Sequence, residues 1–492
     1  MKTTLLTIFS ILFSLLIFAQ DGIPDDYLSS EFHKGRREAL RQSMPENSVA
    51  VFFANAIRNR ANDVDYVYHQ DPDFYYLTGY KEPNSVLVIF SEDQTNEMGE
   101  TYNELIYVQK RDAVREQWDG IRLGVEGVKE KLGFDMAFNG IEFLDSGIDY
   151  TKFDAVLFDE FKNDYRDSEK NDADLFDLIE AFKSQIQQTE TVISNSNSNP
   201  DINNEANLKE RKVITDTNTL TTLMAALRQI KTAEEMKLLI KAIRISAMGQ
   251  REIMKAMHVG MSEAEIQGIH EYIYKKYGSE YEGYPSIVGA GNNGCVLHYI
   301  ENTKMKVDND LVLMDLGAEY HGYTADVTRT IPANGKFSPE QKIIYDLVYE
   351  AQEAGIAASV IGNNLHSPDA AGRKIINQGL IDLGIAKDEA DAHKYFPHGT
   401  SHHIGLDVHD ANLRGDFEAN MVITVEPGIY IPKGSDCDEK WWGIAVRIED
   451  DILITEKGPV LLSGEAPRKS EEIEELMKET SVLDGFKLPD LD

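Results

Sequence analysis

Cysteine is nearly absent: Cys295 and Cys437 are the only two in 492 residues. That excludes a disulfide framework and leaves room for one bridge at most. Positive charge is the second shortage. Lys and Arg total 49 against 84 Asp and Glu, a formal net charge of −35. Such a field opposes nucleic acid and anionic membrane surfaces and favours solubility. Beyond the first 18 residues no long apolar run occurs, so no later segment offers a membrane span. Repeats of solenoid period are missing as well. What remains, 42% hydrophobic and 27% charged, suits a large folded core divided among two to four domains.

The chain opens with Lys2, an almost wholly apolar run from Leu5 to Phe18, then Ala19 before the polar Gln20-Asp21-Gly22. This is the pattern of an export signal covering residues 1–19, with the mature protein free of the membrane and periplasmic or secreted. Residues 20–225 read as an N-terminal α/β domain. An amphipathic helix over Glu31–Met44 precedes short apolar strands at Ser48–Ala54, Ser85–Phe90 and Glu104–Val108. The aromatic-rich stretch YHQDPDFYYLTGYKEP, Tyr68–Pro83, reads first as a packed cluster. Around 161–209 lies a polar insertion that ends in SNSNSNPDINNEAN.

Residues 226–465 read as a second α/β domain with antiparallel strands, followed by an acidic tail over 466–492. Three capping boxes, at Thr232, Ser262 and Ser338, open its long helices. Between the second and third boxes, LVLMDLGAEYHGYTADVTRTI (Leu311–Ile331) reads as a β-hairpin with its turn at Tyr320-His321 and Gly322 free to take positive φ. With the turn there, Asp315 and Asp326 are opposed directly, within about 5.5 Å at the backbone, where like charges repel. Alone, the same pattern also fits an ordinary hairpin with one aspartate at its edge.

Further acidic and imidazole groups accumulate around it. Glu426 ends the strand Met421–Val425, and Glu449 shares a strand face with Arg447. His298 closes another apolar run, and FPHGTSHHIGLDVHD supplies His398, His402, His403 and His409. Four converging carboxylates carry a charge that two divalent cations cancel. Oxygen-dominated ligation with one imidazole suits Mn²⁺ better than zinc, with Co²⁺ or Zn²⁺ as substitutes. Two such ions hold a bridging hydroxide at neutral pH and polarise a carbonyl, which is hydrolytic chemistry.

These segments resemble a known family. EFHKGRREAL, PENSVAVFFA, REQWDGIRLG, LHYIEN, DLGAEYHGYTADVTRTIPANGKFS, HGTSHHIGLDVHD, TVEPGIYI and RIEDDILIT together resemble the dinuclear metallopeptidases of the pita-bread fold, in the Xaa-Pro aminopeptidase branch, with prolidase as near relative. The resemblance implies a creatinase/prolidase-like N-terminal domain before a pita-bread catalytic domain. It implies that Asp315 holds one metal, Asp326 and Glu449 bridge both, and His402 and Glu426 hold the second. It further implies that His298 and His409 flank the hydroxide, Glu426 shuttles the proton, Arg447 orients a ligand carboxylate, and His398 lines the proline pocket. The expected activity is removal of an N-terminal residue that precedes proline, by a homo-oligomer (dimer or tetramer); the alternative is a prolidase restricted to Xaa-Pro dipeptides. A catalytically dead relative would lack ligands that are intact here.

Several residues are expected to be structural. His403 should point away from the metals, His321 should be solvent-exposed in its turn, and Asp450 and Asp451 should be strand-end surface groups. Cys295 should be a small buried side chain, and Trp441 and Trp442 should pack in the core. The loop between His409 and Glu426 departs from the family pattern, so its Arg414 carries no assigned role, and Tyr75 stands where some relatives carry tryptophan.

Overall fold

The computed structural model describes residues 24, 26–168, 171–187, 189–193 and 208–486, with only the backbone described at 189–193 and 208–211. The leader-like segment 1–19 and the SNSNSNPDINNEAN stretch lie outside the described residues. In the N-terminal part, helix α1 (Ser30–Ser43) is followed by β1 (Ser48–Phe53), α2 (Pro72–Thr78), β2 (Val86–Thr95), β3 (Thr101–Val108), β4 (Ala137–Asn139), β5 (Ala155–Leu157), α3 (Leu175–Ile186) and β6 (Thr215–Asp216). The strands form one mixed sheet in the order β6-β5-β1-β2-β3-β4. β1 is buried at five of its six positions, as an apolar run in mid-sheet demands.

Helix α2 packs between the two halves. Asp71 caps it, Pro72 occupies its first turn, and Gly79 ends it in the left-handed region. Phe74, Tyr75, Tyr76, Leu77 and Tyr80 are buried in a core that also takes Leu239, Tyr320, Tyr323 and Leu406 from the C-terminal half. The aromatic stretch is therefore the seam between domains. Tyr76 donates to the Leu227 carbonyl at 3.1 Å and Tyr75 to that of His321 at 3.2 Å.

The second domain follows as α4 (Thr219–Gln229), α5 (Ala233–Ala256), α6 (Glu263–Lys276), β7 (Ile287–Ala290), β8 (Leu311–Leu316), β9 (Ala318–Tyr320), β10 (Tyr323–Thr324), β11 (Val327–Pro332), α7 (Pro339–Ala358), α8 (His366–Asp382), β12 (Val422–Val425), β13 (Gly428–Ile431), β14 (Ile444–Arg447), β15 (Asp450–Thr455), β16 (Gly458–Leu461) and α9 (Ser470–Leu476). Its capping boxes at Thr232, Ser262 and Ser338 are all formed. Every strand pair described in this domain is antiparallel. β8 runs between β7 and β11, and the six residues of β8 and of β11 are all buried. Ile344, Val348, Ile376 and Leu380 of α7 and α8 share one core with Ile253 of α5 and Val446 of β14.

The structure corrects four expectations. The hairpin turn is His321-Gly322, with φ of 51° and 87°, and Tyr320 pairs with Tyr323. That is a primed two-residue turn, which matches the twist of its strands. Asp315 consequently pairs with Thr328 rather than Asp326. A slip of two positions preserves the face, so the aspartates are diagonal neighbours instead of direct ones. His321 is buried, not exposed: Tyr27 stacks on its ring at 3.5 Å and Asp26 meets Nε2 at 3.0 Å. Asp450 and Asp451 are both 0% exposed. Cys295 is only partly buried, and both cysteines are free thiols.

Trp441 is in the core as expected, while Trp442 is partly buried with its indole N–H on the Ser435 carbonyl. The segment read as an acidic tail docks on this domain, with Ile473 and Leu476 in the core and Ser481 donating to Glu252 at 2.6 Å.

Candidate metal centre

The hairpin β8–β11 delivers the two aspartates to the floor of a cavity of about 540 Å³. Gly317 makes their approach possible. A Cβ there would lie 2.1 Å from the Ala325 carbonyl oxygen and 2.6 Å from the Tyr284 ring. With no side chain at Gly317, Tyr284 reaches under both carboxyls, its hydroxyl 2.6 Å from Asp315 Oδ1 and 2.5 Å from Asp326 Oδ1. His402, Glu426 and Glu449 line the same cavity, together with His298, His398, His409 and Arg447. All nine residues proposed from the sequence therefore meet in one place.

Ligand atoms of Asp326, His402 and Glu449 lie within 4.8 Å of one another. His402 Nε2 is 3.4 Å from Asp326 Oδ2 and 3.6 Å from Glu426 Oε1. Its Nδ1 sits 3.1 Å from the His403 carbonyl, an acceptor, so that nitrogen carries the proton. Nε2 is left facing two carboxyl oxygens, one from Asp326 and one from Glu426. A cation is the group that such a donor set fits, and the backbone bond fixes the ring tautomer for it.

Electrostatics point the same way. Burial, then the charge of Asp315, pushes the Asp326 carboxyl well above the usual carboxylate range. Burial, then Asp326 and Asp315, does the same to Glu449. Burial and Glu449 push Glu426 up to about 8. Burial also works to raise Asp315, but the Arg447 guanidinium and the Tyr284 hydroxyl hold it below the ordinary value. One guanidinium cannot neutralise four carboxylates; divalent ions can.

Arg447 donates to Asp315 Oδ2, to Thr328 Oγ1 at 3.2 Å and to the Tyr430 hydroxyl at 3.0 Å, with Glu449 Oε2 4.0 Å away. Thr328 in turn donates to Glu449 Oε2 at 2.6 Å. Behind them, Asp451 Oδ2 accepts the Asp326 backbone N–H at 3.2 Å. His398 shares the Tyr430 hydroxyl: its Nε2 meets Tyr430 Oη at 2.7 Å, and its Nδ1 is 3.6 Å from Glu426. Burial, then the nearby Arg447, lowers the His398 pKa to about 4, so its ring is neutral. His298 and His409 stand at the open side, and the His409 ring meets His402 edge-on at 4.3 Å. Burial, then the neighbouring histidines, lowers His409 below the ordinary value.

His403 is not among the residues that line the cavity, as expected, and its backbone forms a bridge with Ile423. Arg414 is exposed and contributes nothing to the cavity. Sequence reasoning missed Tyr284, Thr328 and Tyr430. Thr328 was findable, because it lies two positions past Asp326 on one strand face. Tyr284 was not, since it sits in an irregular segment before β7 with no periodicity to read.

The chain is similar to known peptidases over most of its length. Residues 237–456 match the model of metallopeptidase family M24, and residues 33–148 match the aminopeptidase P N-terminal domain. The Xaa-Pro aminopeptidase of Escherichia coli K12 is 34% identical over 462 residues, covering 92% of this chain and 98% of that enzyme. Human Xaa-Pro aminopeptidase 3 is 31% identical over 91% of this chain and 84% of its own length. Among solved structures, E. coli aminopeptidase P with the inhibitor Pro-Leu superposes with a TM-score of 0.78 at 33% identity, over 92% of this chain and 98% of that one.

Proposed function

From the premise that this chain belongs to metallopeptidase family M24 and carries the aminopeptidase P N-terminal domain, we infer that it is a metal-dependent exopeptidase. It hydrolyses the bond between the first residue of a peptide and a proline at the second position. The observation that carries this is His402 Nε2 set 3.4 Å from Asp326 Oδ2 and 3.6 Å from Glu426 Oε1 at the floor of an open cavity.

Asp315, Asp326, His402, Glu426 and Glu449 would hold two divalent ions. Their mostly oxygen donors favour Mn²⁺. Bound there, the ions supply a nucleophilic water at neutral pH and polarise the scissile carbonyl. The chain does the rest. His298 and His409, at the open side, offer N–H groups to the scissile carbonyl oxygen and stabilise the oxyanion as it develops. Glu426 takes the proton of the attacking water and hands it to the proline nitrogen as the bond breaks. Arg447 and Thr328 fix the Asp315 and Glu449 carboxylates in place. His398, neutral and held by Tyr430, packs beside the proline ring. The leader-like first 19 residues support export, and the acidic surface suits an extracytoplasmic enzyme.

The test is purified enzyme on Ala-Pro-Ala and on Ala-Pro, before and after chelation and Mn²⁺ re-addition. Release of alanine from the tripeptide, abolished by chelation and restored by Mn²⁺, is expected. Cleavage of the dipeptide alone would transfer the enzyme to the prolidase reading, and inactivity after metal return would defeat both.

A further inference from the structure

The segment His402–Asp410 carries two of the site's histidines, and its outer side is gripped by charges that never reach the cavity. Arg228, in the last turn of α4, donates through Nη2 to Asp407 Oδ2 at 2.9 Å and to Asp410 Oδ1. Those aspartates stand two positions before His409 and one after it. The other Asp410 oxygen accepts Lys231 Nζ at 2.8 Å, and Lys231 also donates to the Arg228 carbonyl at 2.6 Å. Arg228 Nη1 crosses the domain seam to Asp73 Oδ1, on α2, at 2.7 Å. The side chains of Lys231 and Asp410 are each 1% exposed and that of Arg228 5%.

The fit is close. A Cβ at Gly405 would lie 2.3 Å from Asp410 Oδ2 and 3.0 Å from Lys231 Cε, so the loop closes on the ion pair only because that residue is glycine. Asp410 N–H returns to the His403 carbonyl at 2.9 Å, and Lys231 N–H holds the Asn420 carbonyl at 2.9 Å. Buried ion networks add little net stability over an apolar replacement, and their best-attested use is to fix one geometry. Here the thing fixed is the stretch of backbone from which His409 projects.

We propose that Arg228 and Lys231 are positioning residues for His409, clamping the aspartates on either side of it, and that Asp73 ties this setting to the N-terminal domain. The inference rests on His409 acting on the scissile carbonyl. A displacement of about 1 Å in a reacting group can cost ~100-fold in rate. In metal-loaded enzyme, Arg228→Lys, which keeps the charge but cannot reach three carboxylates, should lower kcat on Ala-Pro-Ala about 10- to 100-fold with KM little changed. Asp407→Asn, whose side chain is half-exposed and whose loss the fold tolerates, should lower it about 3- to 10-fold.

Both effects should shrink below about twofold in a His409→Ala background, because residues acting through one group are not additive. Bound metal should stay as in the unaltered enzyme. In the metal-free chain, amide exchange should quicken at residues 403–410 and not in β12. Equal losses in both backgrounds, or unchanged exchange in the loop, would overturn the clamp while leaving the catalytic reading intact. A His409→Ala enzyme of full activity would overturn the role of His409 and the clamp together. Should Arg228→Lys fail to fold, the same cycle built on Asp407→Asn decides between these outcomes.

Discussion

Replacing Arg329 by methionine should strongly destabilise the catalytic domain from behind its metal centre. The side chain is 0% exposed and its donors all find partners. They reach Thr328 O at 2.8 Å, Glu449 O at 2.6 Å, Asp450 Oδ1 at 2.7 Å, Ala466 O at 2.9 Å and Pro467 O at 3.0 Å. Methionine fills much of the volume and satisfies none of these acceptors. Removing one member of a buried ion pair costs about 3–5 kcal/mol, since the other charge stays buried. Asp450 keeps Gln352 at 2.9 Å and Arg468 at 3.6 Å, which holds the loss within that range. Against a total stability on the order of 5–15 kcal/mol, that is a large fraction.

Urea unfolding followed through the fluorescence of Trp441 and Trp442 reads the change in this domain. Arg329→Met combined with Asp450→Leu should recover about 1–2 kcal/mol of the loss, because no lone charge is then buried. A single-mutant loss below about 1 kcal/mol, or a double mutant no better than the single, would refute the reasoning.

Tyr284→Phe removes the hydroxyl shared by Asp315 and Asp326; thermal unfolding should show a loss of about 1.5–3 kcal/mol in metal-free protein and less with Mn²⁺ present. Glu426→Gln should lower kcat by about 10²- to 10⁴-fold, and elemental analysis should still find metal on the protein. Metal-free protein should lose stability as pH rises from about 6.5 to 9. Glu426 at about 8 and His69 at about 9 both bind protons more tightly folded than unfolded, so folding favours their protonated forms. His69 owes that rise first to its hydrogen bond with Glu319, and its side chain is 47% exposed, so the carboxylates carry the larger share. Below about 6.5 the slope should flatten, because burial holds His33, His398 and His403 near 4 and their neutral folded forms work against the raised carboxyls of Glu426, Asp326 and Glu449. A flat urea midpoint between pH 6.5 and 9 would contradict the assignment.

Strand and helix positions were legible wherever apolar periodicity and capping chemistry coincided, as at Thr232, Ser262 and Ser338. The aspartate pair was legible for a subtler reason. The turn lies one residue later than expected, which slips the register by two, and a two-residue slip leaves every side chain on its original face. A slip of one would have sent Asp326 to the opposite side. Asp450 and Asp451 were misread because acidic residues at strand ends are ordinarily solvated. Asp450 is buried against Arg329, Gln352 and Ser463 and Asp451 against the Asp326 backbone N–H, partners 13 to 125 positions away that no local pattern announces. His321 was misread likewise, since turns are usually exposed and Asp26 and Tyr27 reach it from the far end of the chain.

The cavity over the metal centre is lined only by residues from Tyr284 onward, so the N-terminal domain adds no described side chain to its wall. Its influence has to be indirect, and two routes are visible. One is the aromatic seam, where Tyr75 holds the His321 carbonyl and packs its ring 3.0 Å from where a Cβ of Gly322 would stand. The turn that sets the β8–β11 register is thus backed by a residue of α2. The other is Asp73, at the same helix, whose bond to Arg228 reaches the loop of His409. Both routes leave from one seven-residue helix, one toward Asp315 and Asp326 and the other toward His409. A helix so placed touches both the turn of the hairpin that carries Asp315 and Asp326 and, through Arg228, the loop that carries His409.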